Sequence, residues 1–191
     1  MTYELLPNGA FGHDMAATYH YPFDRGLADA LAGLFRGKSV IDFGAGLGKY
    51  VHHLAGAGID VQGVDAIPDV ESLTDGLVQH QDLTKPGFCN DCDWALCLEV
   101  MEHIPSDLEQ WPLTYLGTAK QGVVLSWAIP GQGGDGHVNE RSNEYAQNAF
   151  LGIASKMRRS FRHDQQAQAR LRMAVSDLWW FANSLMVFRR T

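Results

Sequence analysis

The sequence predicts an α/β domain built on a mostly parallel β-sheet, and three observations predict it. Apolar runs of strand length alternate regularly with stretches of helical periodicity. The runs are continuously apolar rather than alternating, as in strands covered on both faces. A cluster of glycines, Gly44, Gly46 and Gly48, stands where one such strand gives way to a helix.

Taken in order, residues 26–35 carry Leu27, Ala30, Leu31 and Leu34 at helical spacing, and Arg36-Gly37-Lys38 breaks the pattern before the apolar run 39–43. After the glycines come a helix at about 49–57 and a strand over 59–64 that ends in Asp65, completing a βαβ unit. A helix-like stretch, 70–76, leads to a short strand at 78–81. Residues 94–98 and 123–129 read as further strands, separated by a helix over 107–119. The tail alternates in the same way: helix 143–156, strand 160–163, helix 165–175 and strand 185–189. The glycine-rich stretch 130–137, PGQGGDGH, is long enough for a binding loop or lid.

A chain of 191 residues suits one domain, with an N-terminal helical or lid segment (1–37), a ligand-binding core (38–129) and a substrate loop with the rest of the sheet (130–191). No stretch is apolar enough to span a bilayer, and the N-terminus lacks the basic start and apolar core of a secretory signal, so the expected location is cytoplasmic. A net charge of −7 argues against binding along a nucleic-acid backbone. Lys156, Arg158, Arg159, Arg162, Arg170 and Arg172 form a local basic exception, read as a solvated face. Of the three cysteines, Cys89 and Cys92 make a C-x-x-C with no second ligand pair, and Cys97 follows closely; reduced thiols and no metal are expected.

The glycine loop narrows the ligand. In VIDFGAGLGKY the spacing is G-x-G-x-G, and Lys49 occupies the position of the third glycine of a dinucleotide loop. Asp42 lies two residues before the first glycine. A carboxylate there suits a cationic amino group better than a pyrophosphate, which a helix N-terminus would attract. Asp65, about 20 residues on, is placed to accept hydrogen bonds from ribose hydroxyls.

VIDFGAGLGKY, GVDAIP, QDL at 81–83 and DWALCLEVMEHIP resemble, in order and spacing, motifs I to IV of the class I S-adenosylmethionine-dependent methyltransferases. The resemblance covers roughly residues 39–105. It implies a Rossmann-like three-layer α/β/α sandwich whose seven-stranded, mostly parallel sheet has an antiparallel last strand. It implies S-adenosylmethionine as cofactor and S-adenosylhomocysteine as its product. Asp42, Gly44, Ala45 and Gly46 would line the methionine moiety, Asp65 with Ala66 the ribose, and Asp82 and Leu83 the adenine. Leu98 and Glu99 would form the floor beneath the sulfonium. The chain has neither an N-P-P-Y tetrapeptide nor a P-C dipeptide at motif IV, so base amino groups and cytosine C5 lose weight as acceptors. LEVMEHIP resembles the small-molecule branch instead, with a glutamate and a histidine beside the pocket.

Methyl transfer needs an acceptor lone pair aligned with the sulfonium and, where required, a base. His137 is the preferred base and His103 the second. Tyr19, Tyr21, Trp127, Asn139 and Asn143 are the candidate substrate contacts. The segment holding His13, Tyr19, His20, Tyr21 and Arg25 reads as a lid over the cofactor or as aromatic packing on the sheet edge. Trp179, Trp180 and Phe181 are assigned to the core, and His52 and His53 to an exposed helix face. The expected reaction is methyl transfer to oxygen or nitrogen of a small-molecule acceptor, by a monomer or homodimer without membrane contact. The alternatives are a protein or peptide side chain as acceptor, and a non-catalytic S-adenosylmethionine-binding module.

Overall fold

The computed structural model describes residues 4–87 and 91–191, so Cys89 and its C-x-x-C with Cys92 lie partly outside the described residues. Seven strands form one sheet: β1 (Ser39–Phe43), β2 (Asp60–Asp65), β3 (Val78–His80), β4 (Trp94–Cys97), β5 (Gly122–Leu125), β6 (Phe161–His163) and β7 (Met186–Arg190), in the order β3-β2-β1-β4-β5-β7-β6. β1 to β5 are parallel, and β7 runs antiparallel between β5 and β6. From β1 the chain builds outward through β2 to β3, then returns to lay β4 on β1's other side. This reversal opens a crevice at the carboxyl ends of β1 and β4, where α/β sheets take their ligands.

Helices cover both faces of the sheet, giving the expected three layers. The strands enforce this by alternation: Val40, Trp94, Leu96, Val124 and Val187 point into one apolar cluster, and Ile41, Ala95, Cys97, Val123, Leu125, Met186 and Phe188 into the other. The first cluster is closed by α2 (Arg25–Leu34), α3 (Lys49–Gly56), α7 (Gln165–Ala174) and α8 (Trp179–Ser184) through Leu27, Leu31, Leu54, Leu171 and Phe181. The second is closed by α5 (Gln110–Leu116) and α6 (Asn143–Lys156) through Leu113, Leu116 and Phe150. α1 (His13–Thr18) and α4 (Val70–Leu73) form a smaller cluster with Phe11, Met15, Ile67 and Val78 near the crevice.

Several element boundaries differ from the sequence reading. α5 begins at Gln110 rather than 107 because Pro112 has no N–H and is tolerated only in a helix's first turn. β5 stops at Leu125, and residues 126–129 leave the sheet after Ser126 N–H donates to the Cys97 carbonyl (2.9 Å). The short α1 and α8 were not expected as helices. Basic residues Arg158, Arg159, Arg162 and Arg170 are exposed, whereas Arg172 donates to the carbonyls of Leu185 (2.8 Å) and Asn183 (2.9 Å).

Candidate active site

β1 delivers Asp42 and then the glycine loop to the crevice. Gly44 and Gly46 have φ of 80° and 55°, a left-handed backbone that L side chains resist. A Cβ on Gly44 would lie 2.3 Å from Val100, and one on Gly46 would lie 2.6 Å from the Tyr21 ring. The bare backbone is therefore a condition of the packing as well as of the turn. Asp65, at the end of β2, accepts from Gly46 N–H (2.8 Å) and Ile67 N–H (3.1 Å), which fixes its carboxylate beside the loop. Burial raises the Asp65 carboxyl, outweighing the backbone N–H groups that favour its charged form. Asp42 is 3% exposed, and burial together with Asp65 pushes its carboxyl up to about 7.

β4 ends at a second backbone constraint. Glu99 adopts φ 55° without being glycine, a conformation that costs about 1–3 kcal/mol and persists only where surroundings over-determine it. Here its N–H donates to the Ser126 hydroxyl (2.8 Å), and its carboxylate accepts from Gln132 Nε2 (2.5 Å) and the Ser184 hydroxyl (3.4 Å). Three elements thus aim Glu99 at the crevice floor.

These groups line a cavity of about 440 Å³. Its walls hold Asp42, Gly44, Ala45, Gly46, Asp65, Ala66, Asp82, Leu83, Leu98 and Glu99 at one side, and Glu102, His103, Gln132 and His137 at the other. The N-terminal segment roofs it with Tyr19, His20 and Tyr21. That segment is pinned by Lys49, whose ammonium donates to the Tyr21 carbonyl (2.6 Å); the residue that breaks the dinucleotide pattern has this structural use. Tyr19 packs edge-on against both Phe11 and Tyr21, so the segment is both roof and aromatic packing. Burial, then Asp65's charge, keeps the Tyr21 phenol well above its ordinary value.

The model of a methyltransferase domain family matches residues 13–125, more than half of the chain. That span contains every motif from the glycine loop to Glu102. This chain belongs to the class I methyltransferases. A ubiquinone biosynthesis O-methyltransferase from Cupriavidus pinatubonensis is 30% identical over 112 residues, 52% of this chain and 43% of the relative, so the match spans less than half of that protein. Magnesium protoporphyrin IX methyltransferase from Synechocystis PCC 6803, solved with S-adenosylhomocysteine, superposes with a TM-score of 0.60 at 18% identity, covering 86% of this chain and 82% of the other. An amino pentose methyltransferase from Micromonospora echinaspora, solved with S-adenosylmethionine, gives 0.60 at 14% identity over 94% and 91%. At such identities the likeness is one of fold. S-adenosylmethionine is the donor that class I methyltransferases use.

In this methyltransferase three expected substrate contacts do not reach the cavity. Trp127 is fully buried in the core, with its indole N–H donating to the Asn139 carbonyl (2.6 Å). Asn139 is 3% exposed and its amide donates to Glu109 (3.0 Å). Asn143 opens α6 and donates to the Asn183 carbonyl (2.7 Å). All three follow β5 in sequence, but the chain turns them away from the cavity, where their hydrogen bonds brace the loop and the start of α6. His13 and Arg25 also lie off the cavity, Arg25 pairing with Asp29 across one turn of α2 (3.4 Å). His52 is exposed, whereas His53 is partly covered and its Nε2 sits 2.8 Å from Asp29. Conversely, Trp179 and Trp180, assigned to the core by pattern, line the cavity, and Trp179 is 55% exposed. Ser126, Gln132 and Glu140 were missed. Only the contacts with Glu99 and His137, made across loops, reveal them.

Proposed function

We propose that this chain transfers the methyl group of S-adenosylmethionine to an oxygen or nitrogen of a small-molecule acceptor. One observation carries the reading: a roofed cavity runs from the glycine loop and Asp65 to His103 and His137 without leaving the crevice. The residues fit the donor. The Asp65 carboxylate has lone-pair capacity beyond the two N–H groups it already accepts, enough for ribose hydroxyls. Asp42, buried and forced up to about 7, gains its charge most readily against a cation such as the donor's ammonium. Gly44, Ala45 and Gly46 admit the methionine portion against backbone, Ala66 follows Asp65, Asp82 and Leu83 flank the adenine, and Leu98 with Glu99 forms the floor.

The donor supplies an electrophilic methyl on a sulfonium. The protein's part is to hold the acceptor in line and exclude water under Tyr19 and Tyr21. His103 and His137 are the groups that address the acceptor. Burial, then the neighbouring His137, lowers His103 to about 4, so its ring is neutral at pH 7. A cavity of about 440 Å³ suits a small acceptor beside the donor better than a peptide side chain.

Calorimetric titration with S-adenosylhomocysteine tests the donor site. Micromolar binding is expected, weakened at least about tenfold in Asp65→Ala, since hydrogen bonds to a charged group contribute about 1.5–3 kcal/mol. No binding to the wild type refutes the reading. Acceptor screening then follows, with His103→Ala and His137→Ala expected to lose turnover while retaining donor binding.

A further inference from the structure

Glu102, His103 and His137 converge at the acceptor end of the cavity. Each offers one ligand atom, and these atoms all lie within 4.8 Å of one another. Glu102 is fully buried. One of its oxygens accepts a long hydrogen bond from Ala128 N–H (3.4 Å). The other, Oε1, has no hydrogen-bond partner among the described residues and faces His137 Nε2 at 3.9 Å. A buried carboxylate oxygen left in that state is costly.

His137 is held from behind by a carboxylate. His137 Nδ1 lies 3.1 Å from Glu140 Oε1. Glu140 also accepts from the N–H groups of Gly131 and Gly133 (2.7 Å each). With two backbone N–H groups already donating to it, the Glu140 carboxylate stands as the acceptor facing Nδ1. His137 Nε2 is the nitrogen on the side of Glu102. A carboxylate orienting an imidazole through one nitrogen while the other faces outward is the habit of metal-bound histidines. Lys49, also on the cavity wall, has its ammonium bonded to the Tyr21 carbonyl.

We infer that Glu102, His103 and His137 bind a divalent cation of the Zn2+ or Co2+ class, with Glu140 orienting His137 from behind. One carboxylate and two imidazoles suit such ions. Ligand distances of about 2.0–2.2 Å require the three atoms to close in by roughly 1 Å, within reach of side-chain rotation. Three protein ligands leave a position open towards the cavity. The inference deepens the proposed methyl transfer and rests on that reading for its chemistry: the open position takes a hydroxyl oxygen of the acceptor, whose lowered pKa releases its proton to water. The oxygen lone pair then forms the C–O bond as the C–S pair returns to sulfur, giving a methyl ether and S-adenosylhomocysteine.

Protein freed of metal by chelator is titrated with Zn2+ by calorimetry and with Co2+ by visible absorption, without donor or acceptor. One equivalent per chain is expected, with affinity reduced at least about tenfold in Glu102→Gln, His103→Ala and His137→Gln, the last lying in a loop and least harmful to folding. His52→Ala/His53→Ala controls for the surface histidines and should bind as wild type. Melting curves certify that each variant is folded. No stoichiometric binding by wild type, or binding that survives in folded His103→Ala/His137→Gln, overturns the site. Failure of the wild type to bind S-adenosylhomocysteine refutes the methyltransferase reading and leaves metal binding to be judged by its own titration.

Discussion

Two carboxylates one strand apart illustrate how little residue type alone decides. Asp42 and Asp65 close the ends of neighbouring strands, and the second helps push the first up to about 7. A cationic ligand favours ionised Asp42, so donor binding should release a proton below pH 7. Affinity for S-adenosylhomocysteine is then expected to fall as pH drops below 7, by up to about tenfold per unit, and Asp42→Asn should abolish the dependence. Calorimetry in buffers of different ionisation enthalpy checks this; a pH-independent wild type would remove Asp42 from the ammonium's side. The same shift has a stability sign. A carboxyl raised in the fold favours the protonated state, so its stabilising contribution is greatest below about 4 and is lost as pH rises through 7. Asp42 and Gly44 were legible as candidates because the loop motif is contiguous, and Asp65 because it ends the following strand. His137 was legible as a candidate, but its orienting partner Glu140 was not, because the roles of residues three apart in an irregular loop depend on the path of that loop.

Elements are fixed by a few steric conditions that the sequence states only indirectly. Gly122, first residue of β5, pairs in register with Trp94 of β4. A Cβ there would lie 2.6 Å from the Trp94 ring and 2.6 Å from the Phe188 carbonyl. The indole occupies the space that glycine leaves, with the Arg189 guanidinium 4.4 Å from its centroid. Gly122→Ala is expected to destabilise by about 1–3 kcal/mol through overpacking, lowering the melting temperature by roughly 2–12 °C. Calorimetric melting measures it, and an unchanged midpoint would mean that the strands separate freely. Strand positions were readable because a strand buried on both faces must be continuously apolar. Helices α1 and α8 were not, since six-residue elements have too few turns to show a periodicity. The helix over α5 was overextended because its pattern continued upstream while Pro112 set its start.

At the scale of the molecule, Asp24 joins distant parts of the chain. Its buried carboxylate accepts from Leu27 N–H (2.8 Å), capping α2, and from the N–H groups of Ser176 (3.0 Å), Asp177 (2.8 Å) and Leu178 (3.0 Å), which lead into α8. Burial alone would raise this carboxyl, but those donors outweigh it and hold it well below the ordinary carboxylate range. A depressed pKa contributes stability that is present above about 4 and lost as pH falls below it. Asp24→Asn should therefore cost about 1.5–3 kcal/mol at pH 7, with the difference from wild type shrinking below pH 4. Urea denaturation at both pH values tests the sign; a difference independent of pH would show that the charge is not what matters. The sequence by itself determined the layered α/β fold, the order of most strands and helices, and the glycine loop, because apolar periodicity and backbone-limited glycine turns are local properties written in consecutive residues. Only the tertiary structure decided which residues of 126–143 face the cavity and that Glu102, His103 and His137 meet there. It likewise decided that Trp179 and Trp180 line the cavity, because convergence of side chains from separate elements depends on how strands, loops and roof pack around a shared space.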